Sequence, residues 1–285
     1  MKPLDVGAVP QGVCAAQVTE WRDAQATPRT DWIADEVPVA LVFNGVSHAV
    51  MLASPEDLED FALGFSITEG LLESPGELYG VEAQAVEGGI ELRLDVAAAC
   101  EWRLKERRRT LAGRTGCGLC GTDSLAQVRR ELPRAPATAV AIAALARAQR
   151  ELQTRQAVQH LTGATHAAAW CARDGAVRIV REDVGRHNAL DKLIGAMLRA
   201  GEDAADGFVT ITSRASFEMV QKTAAIGVGL LAAVSAPTAL AVRTAQDLGV
   251  ALAGFVRGDD CVVYTFPERF SLHLQAYAQV QSHGH

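Results

Sequence analysis

The stretch Ala176-Val-Arg-Ile-Val-Arg-Glu-Asp183-Val-Gly-Arg-His-Asn188-Ala-Leu-Asp-Lys192 passes from a β-branched run into a helix-forming one within a few residues. Ala176–Arg181 has strand character, and Asn188–Arg199 has helical spacing closed by Gly201. The junction decides the fold class because the same switch recurs downstream. A strand at 208–212 leads to a helix at 216–226, and a strand at 228–234 leads to a helix at 238–248. Just upstream, a strand at 166–172 meets the 176–181 strand across the turn signal Arg173-Asp174-Gly175. Two closing strands fall at 251–256 and 261–265. Repeated strand–helix alternation with hairpins predicts an α/β fold, a mixed sheet covered by helices on both faces.

Working toward the N-terminus, Val37–Phe43 and Val46–Leu52 flank Asn44-Gly45, the strongest short hairpin signal. Ser54-Pro55-Glu56 reads as an N-cap, a first-turn proline and an acid, opening a helix through Leu72. A second hairpin, Leu78–Val86 with Ile90–Val96, turns at Gly88-Gly89. Residues 1–35 show no periodicity and are taken as an N-terminal extension of uncertain order. Residues 36–136 form an additional N-terminal α+β region of hairpins and a helix. It ends in a basic Cys-x-x-Cys loop, with Cys100 to Pro136 read as mostly exposed loop. Residues 137–285 form the α/β domain, opened by a long helix over 138–160.

The 285 residues are 49% apolar and 21% charged, a globular composition that excludes disorder over the whole chain. Lys and Arg number 27 against 34 Asp and Glu, a net charge of −7 that argues against a general nucleic-acid binder. The uncharged run Thr223 to Val242 is long enough to span a bilayer. Ser235-Ala-Pro237-Thr238 interrupts it with a turn and a new N-cap, so no membrane association is expected. Six cysteines are too few for a disulfide scaffold, and Met1 to Ala26 lacks a secretory leader pattern, so a cytoplasmic setting is expected.

Three constellations carry chemistry. Gly113-Arg-Thr-Gly-Cys117-Gly-Leu-Cys120-Gly-Thr pairs two cysteines at redox, half-zinc or sulfur-handling spacing. No second pair at similar spacing completes a zinc site, so no metal ligands are assigned. Residues 101–134 hold nine Lys/Arg against four acids, and nearby cations lower a thiol pKa and attract anions. A solvated basic loop with incidental cysteines is the plain alternative. The second constellation is Glu182 to Lys192. Asp183, Arg186, His187, Asn188 and Lys192 offer groups for phosphate or a base edge at a strand-to-helix junction, where backbone N–H groups favour anions. Its plain reading is an Asn188 N-cap followed by solvated charges. The third, Thr212-Ser-Arg214-Ala-Ser216-Phe-Glu218, repeats that junction and contributes Arg214 and Ser216. Ser235-Ala-Pro-Thr238 repeats it again, more simply as a helix cap. Successive strand ends are where α/β sheets bind ligands. His166-Ala-Ala lacks the Glu that a zinc deaminase needs, which excludes that reaction.

These residues resemble the FdhD family, the formate dehydrogenase accessory sulfurtransferases. The resemblance rests on Arg114-Thr-Gly-Cys-Gly-Leu-Cys-Gly121, Glu182 to Lys192, Ser216-Phe-Glu-Met-Val220 and Ser235-Ala-Pro-Thr238, extended by Gly254-Phe-Val-Arg257 and Val263-Tyr-Thr265. It implies a cytidine-deaminase-like fold without the deaminase zinc, as a homodimer. It implies a sulfur carrier that takes persulfide sulfur from a cysteine desulfurase. The sulfur passes to the bis(molybdopterin guanine dinucleotide) molybdenum cofactor, bound as a substrate and needed by formate dehydrogenase. The family places sulfur on the Cys-x-x-Cys loop, here Cys117 and Cys120, and the guanine dinucleotide near Phe255, Val256, Arg257, Gly258, Asp259 and Asp260. The competing reading is a non-catalytic chaperone for that cofactor. The chain departs from the family pattern at Ser213, commonly Gly, and at Ala164, usually the second Gly of a Thr-Gly-Gly turn.

Overall fold

The computed structural model describes residues 9–111 and 130–272, with the side chains of 105–111 left aside. Strands β1 (Val13–Arg22) and β2 (Gln25–Ala34) form an antiparallel ribbon turning at Asp23-Ala24, both in the left-handed region. This ribbon replaces the aperiodic extension expected from the sequence. Most of its residues face solvent on both sides, so no apolar alternation marks it, and only backbone pairing reveals it.

Strands β3 (Val37–Phe43) and β4 (Val46–Ala53) form the expected Asn44-Gly45 hairpin, with φ of +45° and +80° at the turn. Asn44 also ties this turn to Val96, at the end of the strand beside β3. Its side chain donates to Val96 O (3.0 Å) and accepts from Val96 N (2.9 Å). Helix α1 (Leu58–Thr68) starts three residues and stops four residues inside the expected helix. Ser54 does not cap it, because its polar groups are taken by a buried network described below. At the other end Leu71 and Leu72 fold back, their N–H groups donating to Ser66 O. Strands β5 (Leu78–Val86) and β6 (Gly89–Val96) form the second expected hairpin. The four-stranded sheet runs β4-β3-β6-β5, with β3 parallel to β6.

Helix α2 (Ala98–Leu111) corrects the loop expected from Cys100 onward. Its Leu, Lys, Glu and Arg residues are strong helix formers, but too few are apolar to give a periodic signal. Cys100 and Leu104 are buried against the four-stranded sheet and α1. The long helix expected over 138–160 is three elements: β7 (Val140–Ala141), α3 (Ile142–Thr154) and α4 (Ala157–Thr162).

The second half follows the expected alternation within a few residues at each end. It comprises β8 (His166–Ala172), β9 (Val177–Asp183), α5 (Arg186–Ala200), β10 (Gly207–Ile211), α6 (Phe217–Ala225), β11 (Leu230–Ala233), α7 (Ala239–Leu248), β12 (Ala251–Arg257) and β13 (Asp260–Val263). A two-residue β14 (Phe270–Ser271) pairs with β7. The six-stranded sheet is ordered β13-β12-β11-β10-β8-β9. Strands β10, β11 and β12 are parallel, while β8 and β13 run against them. Alternate residues serve opposite faces. Ala168, Trp170, Val209, Ile211 and Leu231 pack on α5, α6 and α7, whereas Ala167, Ala169, Cys171, Phe208 and Leu230 pack on α3. Burial on both sides explains why these strands read as continuous apolar runs. No helix among the described residues is long and apolar enough to cross a membrane.

The two sheets are joined through α1 and α5, which approach closely at two glycines. A Cβ on Gly64 would sit 1.8 Å from Asp191 O, and one on Gly195 would sit 1.9 Å from Asp60 O. Gly64→Ala is therefore expected to lower stability by about 1–3 kcal/mol in urea unfolding, the usual cost of overpacking. Gly76→Ala, with nothing closer than 3.8 Å, serves as the control. Equal midpoints for the two variants would refute the close approach.

Candidate functional site

The ends of β9, β10, β11 and β12 and the start of β8 lie along one edge of the six-stranded sheet, as their relative directions require. At about 4.8 Å per strand, the four steps from β9 to β12 spread this edge over ~19 Å. Helices α5, α6 and α7 all begin there. The N-terminus of α5 at Gly185 and that of α6 at Ser216 have no side-chain cap, whereas Thr238 caps α7 by accepting from Ala241 N at 3.2 Å. Two uncapped helix starts on one edge leave backbone N–H groups free for an oxyanion.

The block from Glu182 to Lys192 separates into inward and outward residues. Asp183 and Lys192 form an ion pair at 2.7 Å with both side chains 0% exposed. Asp183 Oδ2 also accepts from Ser54 N (3.0 Å), and Oδ1 accepts from Gly185 N (2.7 Å) and Asn188 Nδ2 (3.1 Å). A carboxylate has about four acceptor positions, and here all are used. Lys192 donates to Ser54 O (2.9 Å), and Asn188 donates to Leu52 O (2.8 Å). Asn188 is therefore not the N-cap of α5; its amide ties β4 to β9. Glu182 accepts from Val158 N (3.0 Å) and Gln159 N (2.9 Å), capping α4 from outside that helix.

What remains for a ligand is Arg186 and His187, both partly exposed, with exposed Arg214 and half-buried Ser216 on the neighbouring junction. His187 Nε2 lies 3.3 Å from Glu218 Oε2, without hydrogen-bond geometry. Ser216 Oγ donates to the same oxygen at 2.9 Å. Burial pushes the Glu218 carboxyl up, but His187, Ser216 and Arg186 outweigh it, and the net shift is down. His166, opposite Asp183 in the β8–β9 register, is pushed down by burial and by the charges of Arg186 and His187. His166 and Glu218 are site residues that the sequence reading did not assign. The signal for Glu218 is its place in the first turn after a strand end; His166 shows none without the register.

The Phe255–Asp260 turn closes the same edge. Phe255 is 40% exposed with φ +52°, a left-handed backbone rare for an aromatic residue. Its N–H donates to Ser235 O (3.3 Å), and Arg257 Nε donates to Val234 O (3.1 Å), fastening the turn to the loop that follows β11. Gly258 supplies a second left-handed residue, at φ +57°. Asp259 and Asp260 are exposed, and Asp259 pairs with Arg150 at 3.0 Å. Val256 points instead into the α3-side core. Neither Ser213 nor Ala164 has a left-handed φ, so the backbone at these positions tolerates a Cβ.

Cys117 and Cys120 lie outside the described residues, as do Arg114 and Arg129. The described cysteines do not take their place. Burial pushes the Cys100, Cys171 and Cys261 thiols up, away from the reactive thiolate. Cys14 sits on the exposed ribbon.

A family model described as the FdhD/NarQ family matches residues 34–271. The chain is 61% identical over 251 residues to the sulfur carrier protein FdhD of Variovorax paradoxus, covering 88% of this chain and 90% of that one. It is 55% identical over 248 residues to that of Bordetella petrii, covering 87% and 89%. For Chromobacterium violaceum the figures are 51% over 269 residues, covering 93% and 100%. The crystal structure of a formate dehydrogenase accessory protein from Desulfotalea psychrophila shares the fold. Its TM-score is 0.74 at 22% identity, over 91% of this chain and 100% of that one.

The saturated Asp183 makes a direct stability test. Asp183→Ala leaves the Lys192 ammonium buried without its counter-charge, expected to cost about 3–5 kcal/mol in denaturant unfolding. Asp183→Ala with Lys192→Met removes both charges and should recover part of the loss. A single variant within about 1 kcal/mol of the parent would show that the pair carries no weight.

Proposed function

The chain belongs to the FdhD/NarQ family, and from that premise we propose that it is a sulfur carrier for formate dehydrogenase maturation. In this reading it accepts persulfide sulfur from a cysteine desulfurase and hands it to the bis(molybdopterin guanine dinucleotide) molybdenum cofactor. The observation that carries the reading is the strand-end edge. Two uncapped helix starts, Arg186, His187, Arg214 and the 255–260 turn lie along ~19 Å, a span suited to an extended, pyrophosphate-bearing ligand rather than a small anion. The relatives' name, sulfur carrier protein, supplies the cargo.

The steps follow thiol chemistry. The Cys117 thiolate attacks the outer sulfur of the desulfurase persulfide. A new S–S bond forms, the old one breaks, and the desulfurase cysteine leaves as a thiolate. The Cys120 thiolate then attacks the Cys117 sulfur. An intramolecular disulfide forms and hydrosulfide leaves toward the bound cofactor, so the two cysteines supply the two electrons that reduce the sulfane sulfur. Arg186, Arg214 and the helix N–H groups hold the cofactor phosphates meanwhile. Glu218 keeps His187 at the edge. The homodimer and cytoplasmic setting implied by the family complete the picture.

Incubation with desulfurase and cysteine is expected to add about 32 Da, one sulfur atom, to the protein. The gain should persist in Cys120→Ala and vanish in Cys117→Ala; full loading of Cys117→Ala would overturn the assignment. If the double alanine variant still matures formate dehydrogenase, the protein is a chaperone and not a carrier. Calorimetry with GDP probes the strand-end edge separately. Arg186→Ala and Arg214→Ala should each weaken binding at least about tenfold, the loss of one charge-assisted hydrogen bond. Unchanged affinity in both would move the nucleotide elsewhere.

A further inference from the structure

The stretch carrying Cys117 and Cys120 re-enters the described structure at Arg130, and that residue is held from two sides. Its backbone N–H donates to Gln221 Oε1 of α6 at 2.9 Å. Its guanidinium donates to Ile67 O (3.1 Å) and Thr68 O in the last turn of α1, where Ile67 O also accepts from Gly70 N at 2.9 Å. The grip is reinforced next door. Lys222 donates to Thr68 Oγ1 (2.9 Å), Glu69 Oε1 (2.9 Å) and both oxygens of Asp191 (3.0 and 2.9 Å). Burial alone would lower the Lys222 pKa, but Asp191 and Glu69 outweigh it, so the ammonium stays charged. The upstream end is fixed too: Arg103 of α2 donates to Leu71 O (3.0 Å) and Glu77 Oε2 (2.6 Å).

Helix α6 therefore does two things within its first six residues, counted from the N-cap. Ser216 and Glu218 at its start stand at the strand-end edge, and Gln221 grips the chain beyond the cysteines. The five residue steps from Ser216 to Gln221 rise only ~7.5 Å. Ten residues separate Cys120 from Arg130, so this anchor follows the cysteines closely along the chain. A covalent tether makes delivery an intramolecular event at high effective concentration.

We propose that Arg130, fixed by Gln221 and the C-terminal carbonyls of α1, is the positioning residue for sulfur delivery. It sets where the cysteine-bearing stretch is anchored relative to the strand-end site. The inference rests on the sulfur-carrier reading above and adds to it a residue that touches neither sulfur nor cofactor.

The test separates loading from delivery. Loading is the mass gain with desulfurase and cysteine. Delivery is the rate at which the full-length carrier activates sulfur-free formate dehydrogenase, measured over a range of carrier concentrations. Arg130→Ala should load like the parent and keep its half-saturating concentration, while its maximal delivery rate falls on the order of tenfold as the anchor is lost. Arg130→Lys, which keeps a cation able to reach one carbonyl, should restore most of that rate. Gln221→Ala should give a smaller fall of the same kind. A maximal rate equal to the parent's in Arg130→Ala would overturn the proposal. Should Arg130→Ala not fold by thermal unfolding, parental rates in Gln221→Ala would overturn it instead. A parent that neither loads nor delivers would sink the carrier reading itself, an outcome distinct from either.

Discussion

A single buried carboxylate organises this molecule. Asp183 sits at the end of β9 with no exposure and with every acceptor position filled by Lys192, Ser54, Gly185 and Asn188. Burying two charges is tolerated only when their remaining hydrogen-bonding capacity is met, and here it is met by residues from both halves of the chain. Ser54 comes from the connection between β4 and α1, and its hydroxyl also accepts from Val184 N at 3.1 Å. The pair thereby joins the four-stranded sheet to the six-stranded one and fixes the turn that carries Arg186 and His187.

The second junction between the halves is steric. Gly64 and Gly195 let the backbones of α1 and α5 touch, and Leu198 and Ile226 belong to the edges of both apolar cores. The polar cluster of Asp191, Lys222 and Thr68 lies along the same contact. Helix α6 supplies Lys222 to this cluster, so a site at the sheet edge and an anchor on the chain beyond the cysteines share one short helix.

Much of this architecture could be read from residues. Asn44-Gly45 and Gly88-Gly89 place two hairpins, and the strand–helix switches after 183, 211 and 233 place the edge where ligands bind. What could not be read was direction. Asp183, Asn188 and Lys192 look like ligand donors because nothing in a local pattern says that their partners are Ser54 and Leu52, more than a hundred residues away. Glu182 likewise serves α4, not a ligand. The β1–β2 ribbon escaped because it buries neither face, and α2 because its helix signal is propensity without periodicity. His166 became visible only through the register that sets it opposite Asp183. Thus the densest motif in the chain is largely scaffold, and sequence identity within it reports on shape more than on what is bound.

The span between Ser54 and its partners also has a meaning during synthesis. The Ser54 amide and carbonyl wait for residues 129 and 138 positions downstream. At about 5–20 residues per second, a ribosome needs roughly 7–28 s to reach Lys192 after Ser54. From the synthesis of β6 onward, the strands of the four-stranded sheet and α1 are on the nascent chain without the surface that covers them. The N-terminal half thus emerges as a body awaiting its other side, and the ion pair closes only once α5 has cleared the exit tunnel.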